Sequence, residues 1–125
     1  MAKLIVLITA RPEDGHRVAE AWQEAGAPGV TLIEGFGLRR LQERARGMEV
    51  LPGMMSLAEI VRQSERTSLI VLSVVEDDAL IDRLLAAAEH ILGDLRQPDA
   101  GVFFVADLVR ALGVFNHQRP PRPLA

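Results

Sequence analysis

"TLIEGFGLRRLQERARG", residues 31–47, is the stretch that decides how this chain folds. It begins with the β-branched and aliphatic residues of a strand, stops on Gly-Phe-Gly, and resumes as an arginine-rich segment with helical spacing. A strand that ends on two glycines and then releases a long basic excursion is either a bland strand end or the root of a recognition loop. The flanking sequence decides between them.

Upstream, "KLIVLIT" (3–9) is a short apolar run rich in β-branched residues and bounded by "ARPEDG", which predicts a strand buried on both faces. Pro12, Glu13 and Asp14 form a helix start, since proline suits the first turn and acids suit the positive end of the helix dipole. Val18, Ala21, Trp22 and Ala25 then fall on one helical face, and "GAPG" (26–29) stops the helix. Residues 30–36 read as the second strand.

Downstream, the excursion runs over 37–67. Inside it "LRRLQERAR" has room for a helical turn or two, "VLPGM" is a turn, and "SLAE" (56–59) is a capping box with Ser56 as cap and Glu59 at its third position. A connection this long inside a compact domain is usually functional or disordered. "SLIVLSVV" (68–75) predicts the third strand. Asp77 or Asp78 caps a second helix whose broad apolar face runs through Leu80, Ile81, Leu84, Leu85, Ala88, Ile91 and Leu92, and Gly93 ends it. "VFFVADLV" (102–109) is the fourth strand, and residues 116–125 are an extended polar tail after a domain covering 1–115.

The order β-α-β, long loop, β-α-β predicts an α+β, ferredoxin-like sandwich: a four-stranded antiparallel sheet with two helices on one face. That arrangement creates a physical tension. Leu4, Val6 and Ile8 point one way and Ile5 and Leu7 the other; Ile70, Leu72 and Val74 likewise oppose Leu69, Val71 and Val75. Two helices cover one face only. Burying each remaining aliphatic side chain is worth roughly 1.5–3 kcal/mol, so the second face is expected to close against other copies of the chain. The alternative is a monomer with the tail folded across it.

Composition sets outer bounds. With 125 residues the chain is one domain, and 49% apolar content is rich for its size. A net charge of −3 provides no global basic field to recruit nucleic acid or an anionic membrane. The absence of cysteine excludes disulfides and thiolate metal sites. The opening apolar run is too short for a signal peptide, and no run approaches a membrane span, so a cytoplasmic protein is expected.

Two local patterns, in the right places on this topology, carry a family resemblance. One is Gly35-Phe36-Gly37 at the root of the long loop. The other is "PDAGVFFVADLVRALGV" (98–114), where an Asp-Gly turn at Asp99 and Gly101 leads into a strand with Phe104, then Asp107 and Arg110. Over residues 3–115 the chain resembles the P-II-like nitrogen regulatory proteins, trimeric signal transducers of the ferredoxin-like fold. The resemblance implies a homotrimer and a T-loop that docks on a target protein. It also implies an effector, with a nucleotide as the candidate class, bound at clefts between subunits by Thr31, Gly35, Phe36, Gly37, Arg39, Arg40, Asp99, Ala100 and Gly101. Target contact would come from the loop through Arg44, Arg46, Met54, Met55, Leu57 and Ile60, methionine being adaptable at such surfaces.

The departures from that pattern are specific. Arg39 stands where the family has a glutamine that helps bind 2-oxoglutarate. Val102 stands where it has a lysine, and Gly113 and Phe115 stand where it has two phosphate-clamping arginines. Three cations that would neutralise a triphosphate are therefore missing, which argues against ATP binding in the family's manner. The modifiable loop tyrosine is also absent, because the chain contains no tyrosine.

Taken alone, each constellation keeps a plain reading beside the functional one. The two glycines around Phe36 suit a strand end needing unusual φ or close packing, or a backbone ledge where a ligand approaches. Arg39, Arg40, Arg44 and Arg46 suit a solvated face or an anion site. Asp77 and Asp78 are explained by capping, and His16, His90 and His117 lack ligand spacing, so no metal is expected. Trp22 reads as core. No nucleophile–base pair is visible, so no catalytic residue is assigned and the protein is not expected to be an enzyme. The competing readings are a dimeric ferredoxin-like barrel enzyme, needing a polar group inside the apolar face (Thr9, Ser73 and Asp107 being the choices), an ACT-like amino-acid-binding module, and a ligand-free scaffold.

Overall fold

The computed structural model describes residues 1–47 and 68–114, with side chains placed for 1–43 and 68–114. The element order is β1 (Lys3–Thr9), α1 (Pro12–Ala25), β2 (Thr31–Gly35), α2 (Leu38–Gly47), β3 (Ser68–Val75), α3 (Asp78–Leu92) and β4 (Val102–Asp107). The strands form one antiparallel sheet in the order β2-β3-β1-β4, as the ferredoxin-like reading requires. Among the described residues no helix is long and apolar enough to cross a membrane.

The bounds of β1 and β3 are those the continuous apolar runs predict. β2 is one residue shorter at each end, and β4 stops at Asp107 rather than 109. One further ladder bond, from the Leu108 N–H to the Ala2 carbonyl (3.0 Å), continues the β1 pairing past its end. The arginine-rich segment forms a ten-residue helix, longer than a turn or two. The capping box at 56–59, Met54, Met55, Leu57, Ile60 and the 116–125 tail lie outside the described residues, as do the side chains of Arg44 and Arg46.

α1 and α3 pack on the face carrying Ile5, Leu7, Leu69, Val71 and Val75, with Val18, Trp22, Leu84 and Ala88 completing the core. The Trp22 indole donates to the Leu84 carbonyl (2.9 Å) and meets Phe103 edge-on, with ring centroids 6.4 Å apart. α1 buries Gly15, Val18, Ala19 and Trp22, so its buried stripe is rotated relative to the predicted one. The cause is Gly15: a Cβ there would stand 2.6 Å from Leu69 Cδ2, so the glycine lets the helix lie close against β3. Gly26 ends α1 in the left-handed conformation (φ 107°), and Asp77 caps α3 by accepting from the Ala79 N–H (2.9 Å).

The register puts Leu4, Val6, Ile8, Ile33, Ile70, Leu72, Val74, Val102, Phe104 and Ala106 together on the opposite face. Only Thr31 and Ser68, at its margins, are polar. Val102 is 56% exposed, Ile33 45% and Phe104 42%. Thr9, Ser73 and Asp107 all register with helix-side residues and leave this open face without an interior polar group.

Candidate functional site

The effector residues expected from the sequence fall into two groups at one end of the sheet, plus one outlier. The first group begins where β2 ends. Gly35 has ordinary backbone angles, and a Cβ built on it would meet nothing within 4 Å. Neither unusual φ nor internal crowding explains a glycine there. Phe36 is half-buried, and the Gly37 carbonyl accepts from the Leu41 N–H (3.0 Å), which starts α2. Leu41 is buried and anchors the helix. Arg39 and Arg40 are on its exposed side, and Arg39 Nε lies 3.6 Å from a Glu43 carboxylate oxygen, the i,i+4 pairing of a solvated helix.

The second group is the turn before β4. Asp99 adopts a left-handed backbone (φ 67°), which costs a non-glycine residue conformational energy. Ala100 is buried. Gly101 (φ 146°) lies so close to β1 that a Cβ would stand 2.9 Å from the Ile8 carbonyl oxygen. The approach to this turn is fixed from α3: the Asp94 carboxylate accepts from the Arg96 N–H (2.9 Å), the Asp94 carbonyl from the Gln97 N–H (3.0 Å), and Glu89 Oε2 from the Leu95 N–H (3.3 Å).

Ile33, Ile70, Ile8 and Val102 form one row across the sheet. The Gly35 and Gly101 groups therefore share an end of the sheet but belong to opposite edge strands, three strand spacings or roughly 14 Å apart. A single chain does not bring them into one cleft. Thr31 joins neither group, because it begins β2, roughly 13 Å along the strand from Gly35. It lines instead a cleft of about 320 Å³ between the β2–β3 end of the open face and the segment Leu112–Val114, with Pro28, Gly29, Val30, Leu72, Ser73 and Val74.

Three features of this frame escaped the sequence reading. The Ser73 hydroxyl donates to the Gly29 carbonyl (2.6 Å), tying the turn before β2 to β3 and forming one wall of the cleft. The strap 108–114 crosses the sheet end, leaving Val109 and Leu112 almost fully exposed. Arg11 Nη2 donates to the Leu92 carbonyl (2.6 Å) while Nη1 lies 3.5 Å from Asp14, so one guanidinium joins the start of α1 to the end of α3. Arg11, just before the Pro12 helix start, was the available sequence signal for the last of these. At the other sheet end Lys3 Nζ lies 3.0 Å from Asp78 and 3.9 Å from Asp107, and hydrogen bonding to Asp78 raises its pKa above the usual lysine value. Among the described residues no group of three or more histidine, aspartate and glutamate side chains is placed to hold a metal ion.

The sequence matches no family model and no curated protein. Its fold has clear counterparts among solved structures. The ATP complex of GlnK from B. subtilis superposes over 86% of this chain and 81% of its own, with a TM-score of 0.52 at 16% identity. A second structure of the same GlnK covers 86% and 85%, with a TM-score of 0.48 at 17% identity. GlnK is a P-II protein, so the resemblance drawn from Gly35-Phe36-Gly37 and the Asp99–Gly101 turn holds at the level of architecture: this chain has the ferredoxin-like fold of the P-II proteins.

Proposed function

We propose that this protein is a P-II-like signal transducer, not an enzyme. In this reading three copies close a ring through their open sheet faces and bind a small effector in the clefts between them. A target protein is regulated through the segment that follows Gly37. One relationship carries the reading: the two effector groups lie at one end of the sheet on opposite edge strands, with an apolar face between them. Neighbouring copies packed face to face through a ring would set the Gly35 edge of one beside the Gly101 edge of the next. The cleft would then exist only in the assembly.

The chemistry of the two groups suits such a cleft. Gly35 offers backbone with nothing crowding it, and Gly101 fixes a turn whose Asp99 is held in a costly conformation. Effector binding would then bias the order of the adjoining loop, by its difference in affinity between loop states. The GlnK complex supports a nucleotide-related effector as the first class to test. The open face lacks the interior polar group a barrel enzyme would need, and α2 with the connection beyond it is longer than an ACT-like module carries.

The test is a melting-temperature panel on the full chain with adenosine, AMP, ADP, ATP, 2-oxoglutarate and bicarbonate, since a ligand of the native state raises the melting point. At least one compound is expected to do so, and silence from all of them contradicts the effector reading. A cytoplasmic location follows from the same reading.

A further inference from the structure

Closing the open faces against one another leaves part of this sheet uncovered. Leu32 on β2 registers with Val71, and Val105 on β4 registers with Ile5, so both belong to the helix side. α1 and α3 bury Val71 and Ile5 completely but leave Leu32 40% and Val105 38% exposed. Ile33 and Val102 are exposed on the other face. The two edge strands are therefore apolar and open on both sides of the sheet. Neither carries the devices that keep an edge solitary: β2 and β4 contain no proline and no lysine, and their ladders run without a bulge. Each has a strand partner on one side only.

The topology says what fits these edges. Every neighbouring pair in the sheet is antiparallel, so β2 and β4 run in opposite directions. Copies related by rotation about an axis along the strands would meet β2 to β4 in antiparallel sense, the pattern of every pair within the chain. The lengths agree, five residues against six. We infer that β2 of one copy pairs edge to edge with β4 of the next, so that the sheets of the ring join into one closed sheet without free edges. The row Ile33–Ile70–Ile8–Val102 then carries on into the next copy. Gly35, two residues beyond Ile33, comes level with Ala100 of the neighbour's Asp99–Gly101 turn. This gives the glycine a reason that its own chain lacks: nothing within the chain lies within 4 Å of a Cβ at Gly35, and across the seam the neighbour's turn fills that side. The effector cleft takes one wall from each copy. The inference rests on the ring of the sensor reading above and specifies how its seams are made.

Leu32 and Val105 supply the test, because they lie outside the open face. Within one chain they sit on opposite edge strands, three strand spacings or roughly 14 Å apart. Across the seam they are diagonal neighbours roughly 7–8 Å apart, a gap that long side chains span. The full chain carrying Leu32→Glu and Val105→Lys is compared with one carrying Leu32→Glu and Val105→Glu, by sedimentation at low salt over a range of concentrations, with circular dichroism checking both folds. The opposite-charge chain is expected to hold three chain masses, and the like-charge chain to fall apart at concentrations at least about tenfold higher. Identical masses at every concentration overturn the inference. If that shared mass is three chains, the ring closes through the open faces alone and the sensor reading stands. If the parent also runs as a single chain, the ring falls with it. Hydrogen exchange on the parent is independent of any variant. Successive amides of Thr31–Gly35 should all be protected, whereas alternating fast and slow amides, as on an edge paired on one side, overturn the inference.

Discussion

Gly101 rests against the Ile8 carbonyl oxygen at a distance that leaves no room for a side chain: a Cβ would stand 2.9 Å from it, on a backbone with φ 146°. The neighbour is main chain in the middle of the sheet and does not move aside. Gly101→Ala should therefore destabilise the fold by about 1–3 kcal/mol, read as a lower urea midpoint with an unchanged slope. A midpoint equal to the parent's would show that the turn relaxes freely.

Gly35 is the counterpart. Its backbone is ordinary and its surroundings are empty within one chain. Gly35→Ala should leave the stability of an isolated chain the same or slightly raised, by up to about 1 kcal/mol, because alanine loses less backbone entropy in a strand. Any loss should appear in effector binding or assembly. If a denaturation curve of the variant under dissociating conditions shifts clearly downward, the glycine is serving the fold and the ledge reading fails.

Much of this was legible in the sequence for identifiable reasons. β1 and β3 are central strands flanked by turn chemistry, so their continuous apolar runs mark their bounds. The edge strands β2 and β4 are shorter than their apolar runs suggest, because an edge strand is held by a partner on one side only. The rotated stripe of α1 follows from Gly15, and an isolated glycine within a helical pattern was the available signal for a close approach. Gly35-Phe36-Gly37 and Asp99-Ala100-Gly101 were legible as special positions, but not their separation across three strand spacings, which depends on long-range strand order. The cleft at Thr31 was invisible because it needs the strap 112–114 to cross the sheet end.

Lys3 bridges Asp78 and Asp107, and its raised pKa comes first from the hydrogen bond to Asp78, then from the charge of that same carboxylate. A folded-state pKa above the unfolded one contributes stability at pH values below the unfolded pKa. That contribution is lost as pH climbs through the folded value. Melting temperature should therefore fall above pH 10.5, and Asp78→Asn should flatten that alkaline limb. An unchanged limb in Asp78→Asn would assign the fall to other groups.

Asp77 accepts from the Ala79 N–H at the start of α3, the helix whose Leu84 and Ala88 fill the core. Asp77→Ala should cost about 1 kcal/mol, and Asp77→Ser should recover most of it. Equal stability of Asp77→Ala and parent, by chemical denaturation, would mean that the cap is not formed in solution.

The open face makes the central claim measurable. Phe104, Val102 and Ile33 are each at least two-fifths exposed on a face whose interior offers only apolar side chains. Light scattering on the full chain at micromolar concentration should give a particle of three chain masses, and Phe104→Asp should reduce it to one while far-ultraviolet circular dichroism is kept. A parent that runs as a stable single chain of 13.7 kDa, with that face in water, would contradict it.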